Sequence, residues 1–397
     1  MCKVNRYIGF WFSALLLLVL LTVCVSCSSD DSASDAEPML NIYVYAPDRP
    51  TVTRSEIIPT EAEAKIHNLQ IWVFRSSDPT KKVASLTLKS ESELSGLNKN
   101  KSASYNIALN DRSFARSPEP VDIYVLANVI DNNGMTSYET ITSSRDLDNA
   151  VFNGGDYYSF WSNDKHQALT AIPSGKGVPM SGVARGKSVK DKNNVLHINE
   201  ANVKLLRAVS KIHFVFSSLK GEKRLFIDGV ELNKEMLYQR VHFFLDDAHP
   251  HYWVDGNTNS TWSVSLVASD LVNPVAQNEN PAAYAFSSSM TEPEYEAKVD
   301  DWLKEDPSPL TAKAPVYLPE SDKRLIGTIY YRLYDENDGF SERKSASFSM
   351  VSGDFRRNQT WIVYAYYIGS TKLVVNTVQV TDWDPQGPLD PHEIHNL

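Results

Sequence analysis

"VKLLRAVSKIHFVF", residues 203–216, decides the fold class. Side chains alternate between two faces along an extended chain. Leu206, Ala208, Ile212, Phe214 and Phe216 then share one face, and Lys211 and His213 share the other. The spacing predicts a core strand with its apolar side on a sheet. Arg207, inside this apolar run, reads as an ion pair at a domain interface rather than a ligand contact.

The same pattern recurs on both sides of this stretch. In "LNIYVYA" (40–46), Ile42 and Val44 point one way and Tyr43 and Tyr45 the other, and Pro47 and Pro50 then end the strand. "KIHNLQIWVF" (65–74) sets Leu69, Ile71 and Val73 against Trp72 and Phe74. "VDIYVLANV" (121–129) is almost continuously apolar, as a central strand is. "RLFIDGVEL", "RVHFFLDD", "RLIGTIYYRLYDE", "TWIVYAYYIG" and "KLVVNTVQVTDW" continue the series, with turn signals such as "DNNG", "NGGD" and "DENDGF" between strands. Helical signals are few. "TEPEYEAKVDDWLKED" (291–306) has a capping-box pattern in Thr291 and Glu294, and "SSRDLDNAVF" (143–152) predicts a second short helix. With 19 Tyr against 17 Gly, composition also favours strands. A chain of 397 residues has room for two cores of ordinary size. No repeat period marks a solenoid or propeller.

All three cysteines, Cys2, Cys24 and Cys27, lie at the N-terminus. Lys3 and Arg6 precede the apolar run "FWFSALLLLVLLTVCV", and small polar residues follow, which is the plan of a secretory signal. Cys27 follows the small Ser26, as the acylated cysteine of a bacterial lipoprotein does, so residues 1–26 are expected to leave. The body then holds no thiol. "SSDDSASDAEP" is polar and acidic, so residues 27–39 read as a flexible tether. With Lys3 and Arg6 gone, 37 of the 39 basic residues face 49 acidic ones. That balance argues against nucleic acid and anionic membrane surfaces as partners. A boundary near Leu206 divides the remainder into domains 40–205 and 206–397.

Catalytic signatures are missing. There is no G-x-S-x-G, H-E-x-x-H or P-loop, and "GKGVPMSG" has Met180 where a third glycine belongs, so it reads as a turn. His249 and His251, or His392 and His395 with Asp390 and Glu393, are metal ligands in principle. Scattered histidines of this kind read as solvated loop residues, so no metal site and no cofactor are assigned. Asp300 and Asp301 read as a solvated helix face. Three classes of function remain: a fibre subunit, a lipid-anchored binding module for glycans, and a secreted hydrolase. Trp72, Trp361 and Trp383 fit core packing better than glycan stacking, whereas Trp161 sits in the aromatic loop "NGGDYYSFWSND".

Taken in order, these segments resemble the Bacteroidota fimbrillin family, the subunits of protease-assembled type V pili. The resemblance rests on the lipobox followed by an early strand and an Arg, then "KIHNLQIWVF", "VDIYVLANV", "GVPMSG" (177–182), "LLRAVSKIHFVF", "RRNQTWIVYAYYIG" and "VQVTDW". It implies an all-β fold of two transthyretin-like β-sandwich domains in tandem with a few short helices. It also implies a non-enzymatic, surface-exposed protein of the outer membrane and fimbrium. Expected partners are other fimbrial subunits (stalk, tip or anchor), the outer membrane through the lipid before processing, and a trypsin-like or Arg-specific protease.

Family subunits are cut after an Arg at the place of Arg54, before Ser55. Arg49 precedes Pro50 and is a poor site. Cleavage there would release Cys27 together with the strand carrying Ile42, Tyr43, Val44 and Tyr45, and leave a groove for a strand from another subunit. Stalk subunits also donate a C-terminal strand. The tail "DPQGPLDPHEIHNL" is proline-rich and a poor donor, so the candidate donor strand is the one carrying Leu373, Val375, Val378 and Val380.

Overall fold

Nearly every alternating run becomes a strand in the computed structural model. It describes residues 39–47, 61–129, 141–148, 150–153, 172, 175–190, 196–218, 224–232, 240–245, 250–252, 264–267, 316–322, 324–335, 337–350, 355–367 and 373–380. The fold is all-β, with four short helices among these residues: α1 (Glu61–Ala64), α2 (Glu91–Asn100), α3 (Arg112–Arg116) and α4 (Ser144–Asp148). The last is the helix expected in "SSRDLDNAVF"; the one expected over 291–306 lies outside the described residues.

The first half forms one curled sheet. Its order is β3 (Asp78–Leu88), β2 (Leu69–Arg75), β5 (Pro120–Ala127), β7 (Met180–Lys190), β8 (Leu196–Lys204), β1 (Met39–Tyr45) and β4 (Ser102–Ala108), with β9 (Leu206–Arg207) pairing β7. An isolated bridge between Ala84 and Leu109 links its two ends, and Asn110 N–H donates to Val83 O at 2.8 Å. The sheet thereby wraps a core that includes Leu40, Val44, Val73, Ile123 and Val203. "VDIYVLANV" is central, between β2 and β7, which explains its unbroken apolar run.

β2 is buried on both faces. Residues 240–245 supply the second cover. β12 (Arg240–His242) pairs with β6 (Val151–Asn153), and Phe243 and Phe244 then join the first core. Phe74, Tyr124 and Phe244 meet edge to face, with ring centroids 6.1 and 5.1 Å apart.

The second half is a two-sheet sandwich. One sheet runs β14 (Val316–Pro319), β10 (Val209–Ser218), β18 (Thr360–Tyr367), β19 (Leu373–Val380). The other runs β13 (Val264–Val267), β11 (Arg224–Leu232), β15 (Ile326–Asp335), β16 (Gly339–Phe340), with β17 (Lys344–Ser349) also on β15. Their inner faces share one core, in which Phe214 meets Phe348 edge to face at 5.9 Å. Trp361 lies in this core and Trp72 in the first, as expected; Trp383 lies outside the described residues.

The opening stretch breaks where alternation alone predicts continuity. Leu206 is half-buried and pairs with Ser181 in the first sheet, while its neighbour Leu205 enters the first core. Ala208 and Val209 also pack there, and only from Ile212 do side chains reach the second core. Lys211 and His213, on the opposite face, are buried as well.

"LANV" is more than a strand. β5 stops at Ala127, and Asn128 adopts a left-handed conformation at φ 60°, which Asn tolerates better than most residues. Its side chain accepts from His67 N–H (2.7 Å) and donates to Lys65 O (3.0 Å) and Val178 O (2.8 Å). Gly177, at φ +70°, packs against it so closely that a Cβ there would lie 2.3 Å from the Asn128 amide nitrogen. The turn read in "GKGVPMSG" is present at Gly175–Lys176.

Candidate functional site

β1 is the strand to which the sequence assigns processing, and its surroundings are specific. It pairs antiparallel with β4 over its whole length, from Met39 opposite Ala108 to Tyr45 opposite Ser102. On its other edge it pairs parallel with β8, with a register shift between Asn41 and Tyr43. The pairing continues past the strand end, where Ala46 N–H donates to Lys101 O and Leu205 N–H to Tyr45 O, both at 2.9 Å. Leu40, Ile42 and Val44 are fully buried, whereas Tyr43 is 47% exposed. The core-facing pair is therefore Ile42 and Val44, and Tyr43 and Tyr45 take the outer face. On that face the Asn41 amide donates to Ser104 Oγ (2.6 Å) and Asn106 Oδ1 (2.8 Å).

α2 leads directly into β4 and packs into the same core that β1 and β4 face. The sequence "SESE" starts this helix with a capping box, Ser90 and Glu93 satisfying each other's backbone N–H. Leu94 and Leu97 are its buried residues. Tyr105, opposite Ile42, sits partly buried, and burial pushes its phenol up to about 12, with Glu93 adding to the effect. A strand-shaped slot thus exists between β8 and β4, filled by β1.

α1 meets the second half through a buried polar cluster. The Glu63 carboxylate is paired with the Lys211 ammonium at 3.2 Å and accepts from the Tyr317 hydroxyl. Arg207 donates to Glu63 O (3.2 Å) and Asn358 Oδ1 (3.3 Å). Burial lowers the Lys211 ammonium to about 8, against the opposing pull of Glu63. Burial, with Lys211 nearby, also holds the His213 imidazole well below its usual value, so it is neutral. A second buried pair, Arg357 with Glu320 at 3.0 Å, extends to His242 O at 2.6 Å. Lys211 and Glu63 form a buried ion pair here, and Arg207 joins the same cluster through Glu63 O and Asn358 Oδ1. Arg207 and Lys211 within a largely apolar run were the legible signs of the cluster; Glu63, in "TEAEAK", carried none.

Among the described residues β19 is an edge strand, antiparallel to β18. Leu373 is in the second core and Val375 packs against it. The register sets these two opposite Tyr367 and Ala365, and sets Val378 and Val380 opposite Ile362 and Thr360. The four candidate donor residues therefore occupy both parities of the strand.

Cys27, Arg54 and Ser55 lie outside the described residues, as do Trp161, His249, Asp300, Asp301, Asp390, Glu393, His392 and His395. Among the described residues no group of three or more His, Cys, Asp or Glu side chains is arranged to hold a metal ion.

No family model matches the chain, and no curated protein matches it. Several solved structures are similar. One is a protein ascribed to cell adhesion from Parabacteroides distasonis, with TM-score 0.52 and 14% identity over 88% of this chain and 98% of that one. Another ascribed to cell adhesion, from Bacteroides eggerthii, has TM-score 0.48 and 13% identity over 87% and 96%. A fimbrial assembly protein from Parabacteroides distasonis has TM-score 0.42 and 10% identity over 87% and 99%. The first likeness is one of fold, and it extends over nearly all of that protein.

Proposed function

We propose that this chain is a structural subunit of a cell-surface fimbria, exported as a lipoprotein on Cys27 and polymerised by donor-strand exchange. Cleavage between Arg54 and Ser55 removes β1, and a strand from another subunit refills the slot between β8 and β4. The observation that carries this reading is the interior position of β1, paired on both edges with Leu40, Ile42 and Val44 buried. An interior strand that is removed leaves two open ladders and an apolar trough, a site for β-strand addition. The shared fold with a protein ascribed to cell adhesion supports the same role.

The partners in this reading are other fimbrial subunits, an Arg-specific or trypsin-like protease, and the outer membrane through the lipid. One acyl chain binds a membrane only marginally, so the cysteine carries two or three. The protein is a non-enzymatic element of the surface fimbrium.

The second reading is a lipid-anchored adhesin that does not polymerise. The full pairing of β1 and the three prolines after Trp383 favour it. N-terminal sequencing of the chain from sheared surface fibres separates the two. The first expects Ser55 as the first residue and heat-sensitive multimers on gels, with Arg54→Ala keeping the chain lipidated and monomeric. Fibre-borne chain that retains residues 40–54 overturns strand exchange at this slot. Cys27→Ser abolishes fatty-acid labelling under both readings; persistent labelling overturns the anchor.

A further inference from the structure

We propose that the outer face of the β11–β15–β16 sheet is a carbohydrate-binding platform for neutral sugars. The proposal rests on the second sandwich alone and is independent of strand exchange at β1.

A β-bulge builds the face. β11 pairs Ile227 with Tyr331 and Gly229 with Tyr330, so Asp228 is an extra residue in the ladder. Apolar residues follow odd numbers up to Ile227 and even numbers from Val230, and both sets stay in the core. The extra residue turns the Asp228 carboxylate outward, where the Arg332 guanidinium grips it through Nε (3.0 Å) and Nη2 (2.7 Å). Arg343 lies 3.7 Å from the same carboxylate and 4.1 Å from the centre of the Tyr330 ring.

Beside this pair stands an aromatic corner. The hairpin "DENDGF" turns through Gly339, at φ +73°, and brings Phe340 opposite Tyr334. Phe340 is 50% exposed, with ring centroids 4.9 Å from Tyr334 and 5.0 Å from Phe226, and Arg332 lies 5.0 Å from its centre. An aromatic ring held out of the core by a built turn, next to an oriented carboxylate and guanidinium, suits a pyranose. Axial C–H bonds stack on a ring face, while adjacent hydroxyls donate to a carboxylate and accept from a guanidinium. The two arginines are balanced by Asp228 and by Glu231, which accepts from the Tyr330 hydroxyl at 2.9 Å, so the chemistry favours uncharged sugars over acidic ones. A protein partner would want a broad apolar patch, and the aromatic corner is small and rimmed by paired charges.

The full chain is titrated with maltoheptaose, mannotriose and lacto-N-tetraose, with sialyllactose as the acidic comparison, by calorimetry and ligand-observed NMR. At least one neutral probe is expected to bind at millimolar concentration or below. Phe340→Leu keeps the apolar bulk and loses the ring, and Arg343→Gln alters only an exposed side chain; each should weaken binding about tenfold. Tyr43→Ser, on the curled sheet of the first half, should leave binding unchanged. Absence of binding of every neutral probe at about 10 mM overturns the proposal. So does binding that survives Phe340→Leu with the fold intact by circular dichroism, or salt-sensitive binding of sialyllactose alone.

Discussion

β1 and β19 are the first and last described strands, and they are held in different ways. β1 is interior, paired with β4 and β8, and its buried residues sit in the middle of a curled sheet. Among the described residues β19 is an edge strand with one partner, β18. Loss of an interior strand exposes two ladders and an apolar trough. Loss of an edge strand only moves the edge inward by one place. The curled sheet of the first half therefore depends on an occupant for its slot, while the second half can release its last strand and keep its sheet continuous.

Deleting residues 39–45 should have the largest effect. Burial of Leu40, Ile42 and Val44 is worth about 5–9 kcal/mol at 1.5–3 kcal/mol each, which is comparable to a whole domain's stability. The curled sheet of the first half should fail to protect its amides in hydrogen exchange, and a peptide of sequence MLNIYVY should restore protection. Truncation before Leu373 should cost clearly less; equal losses would erase the contrast between the strands.

The buried cluster joining the halves comes next. Glu63→Ala leaves the Lys211 charge buried without its carboxylate and should cost about 3–5 kcal/mol. The paired change of Glu63→Leu with Lys211→Met should cost much less by denaturant titration, and an additive result would argue against a coupled pair.

The pH dependence follows from two depressed bases. Below about 8 the folded chain bears the full cost of a buried Lys211 ammonium. Between about 8 and the unfolded value near 10.4 the unfolded chain binds more protons, so stability gains with rising pH relative to Lys211→Met. His213 acts lower down. Its contribution is present above about 6.5 and is lost as pH falls below that value, because only the unfolded chain takes up the proton. Flat difference curves for Lys211→Met and His213→Phe would contradict the burial of both groups.

Single side chains sharpen the comparison at its finest scale. Val44→Ala should cost roughly 2 kcal/mol, and Val375→Ala, at a half-buried position of the edge strand, less than about 1 kcal/mol. Tyr43→Ser on the outer face should stay within about 0.5 kcal/mol. A Val375 loss equal to that of Val44 would mean that β19 is held as firmly as β1.

Much of this was legible in the chain because period-two patterning reports burial directly. Ile42 and Val44 against Tyr43, the central "VDIYVLANV" and the inner residues of β10 from Ile212 onward all followed from alternation and burial. Two features were not legible, and a third left only a trace. Leu206 leaves the expected face because the chain switches sheets at Ala208, and periodicity does not reveal which sheet a strand joins. Asn128 looked like part of an apolar strand, although its work is hydrogen bonding in a left-handed conformation. Asp228 left a readable trace, the shift of apolar residues from odd to even positions across "IDGVEL", which marks a bulge once it is looked for.

Sequence by itself determined the class and the elements: strands from alternation, their turns from Gly, Asn and Asp, and the core-facing side of each from its apolar residues. These are local properties of a chain whose side chains repeat every two residues. Only the tertiary structure decided that β1 lies inside its sheet while β19 lies at an edge, and that Glu63 meets Lys211 across 148 positions. It also decided that Phe243 and Phe244 join the first half's core, with Phe244 against Tyr124 of β5. Such pairings depend on which buried surfaces and unpaired ladders satisfy one another at long range, and no local pattern in the chain encodes that choice.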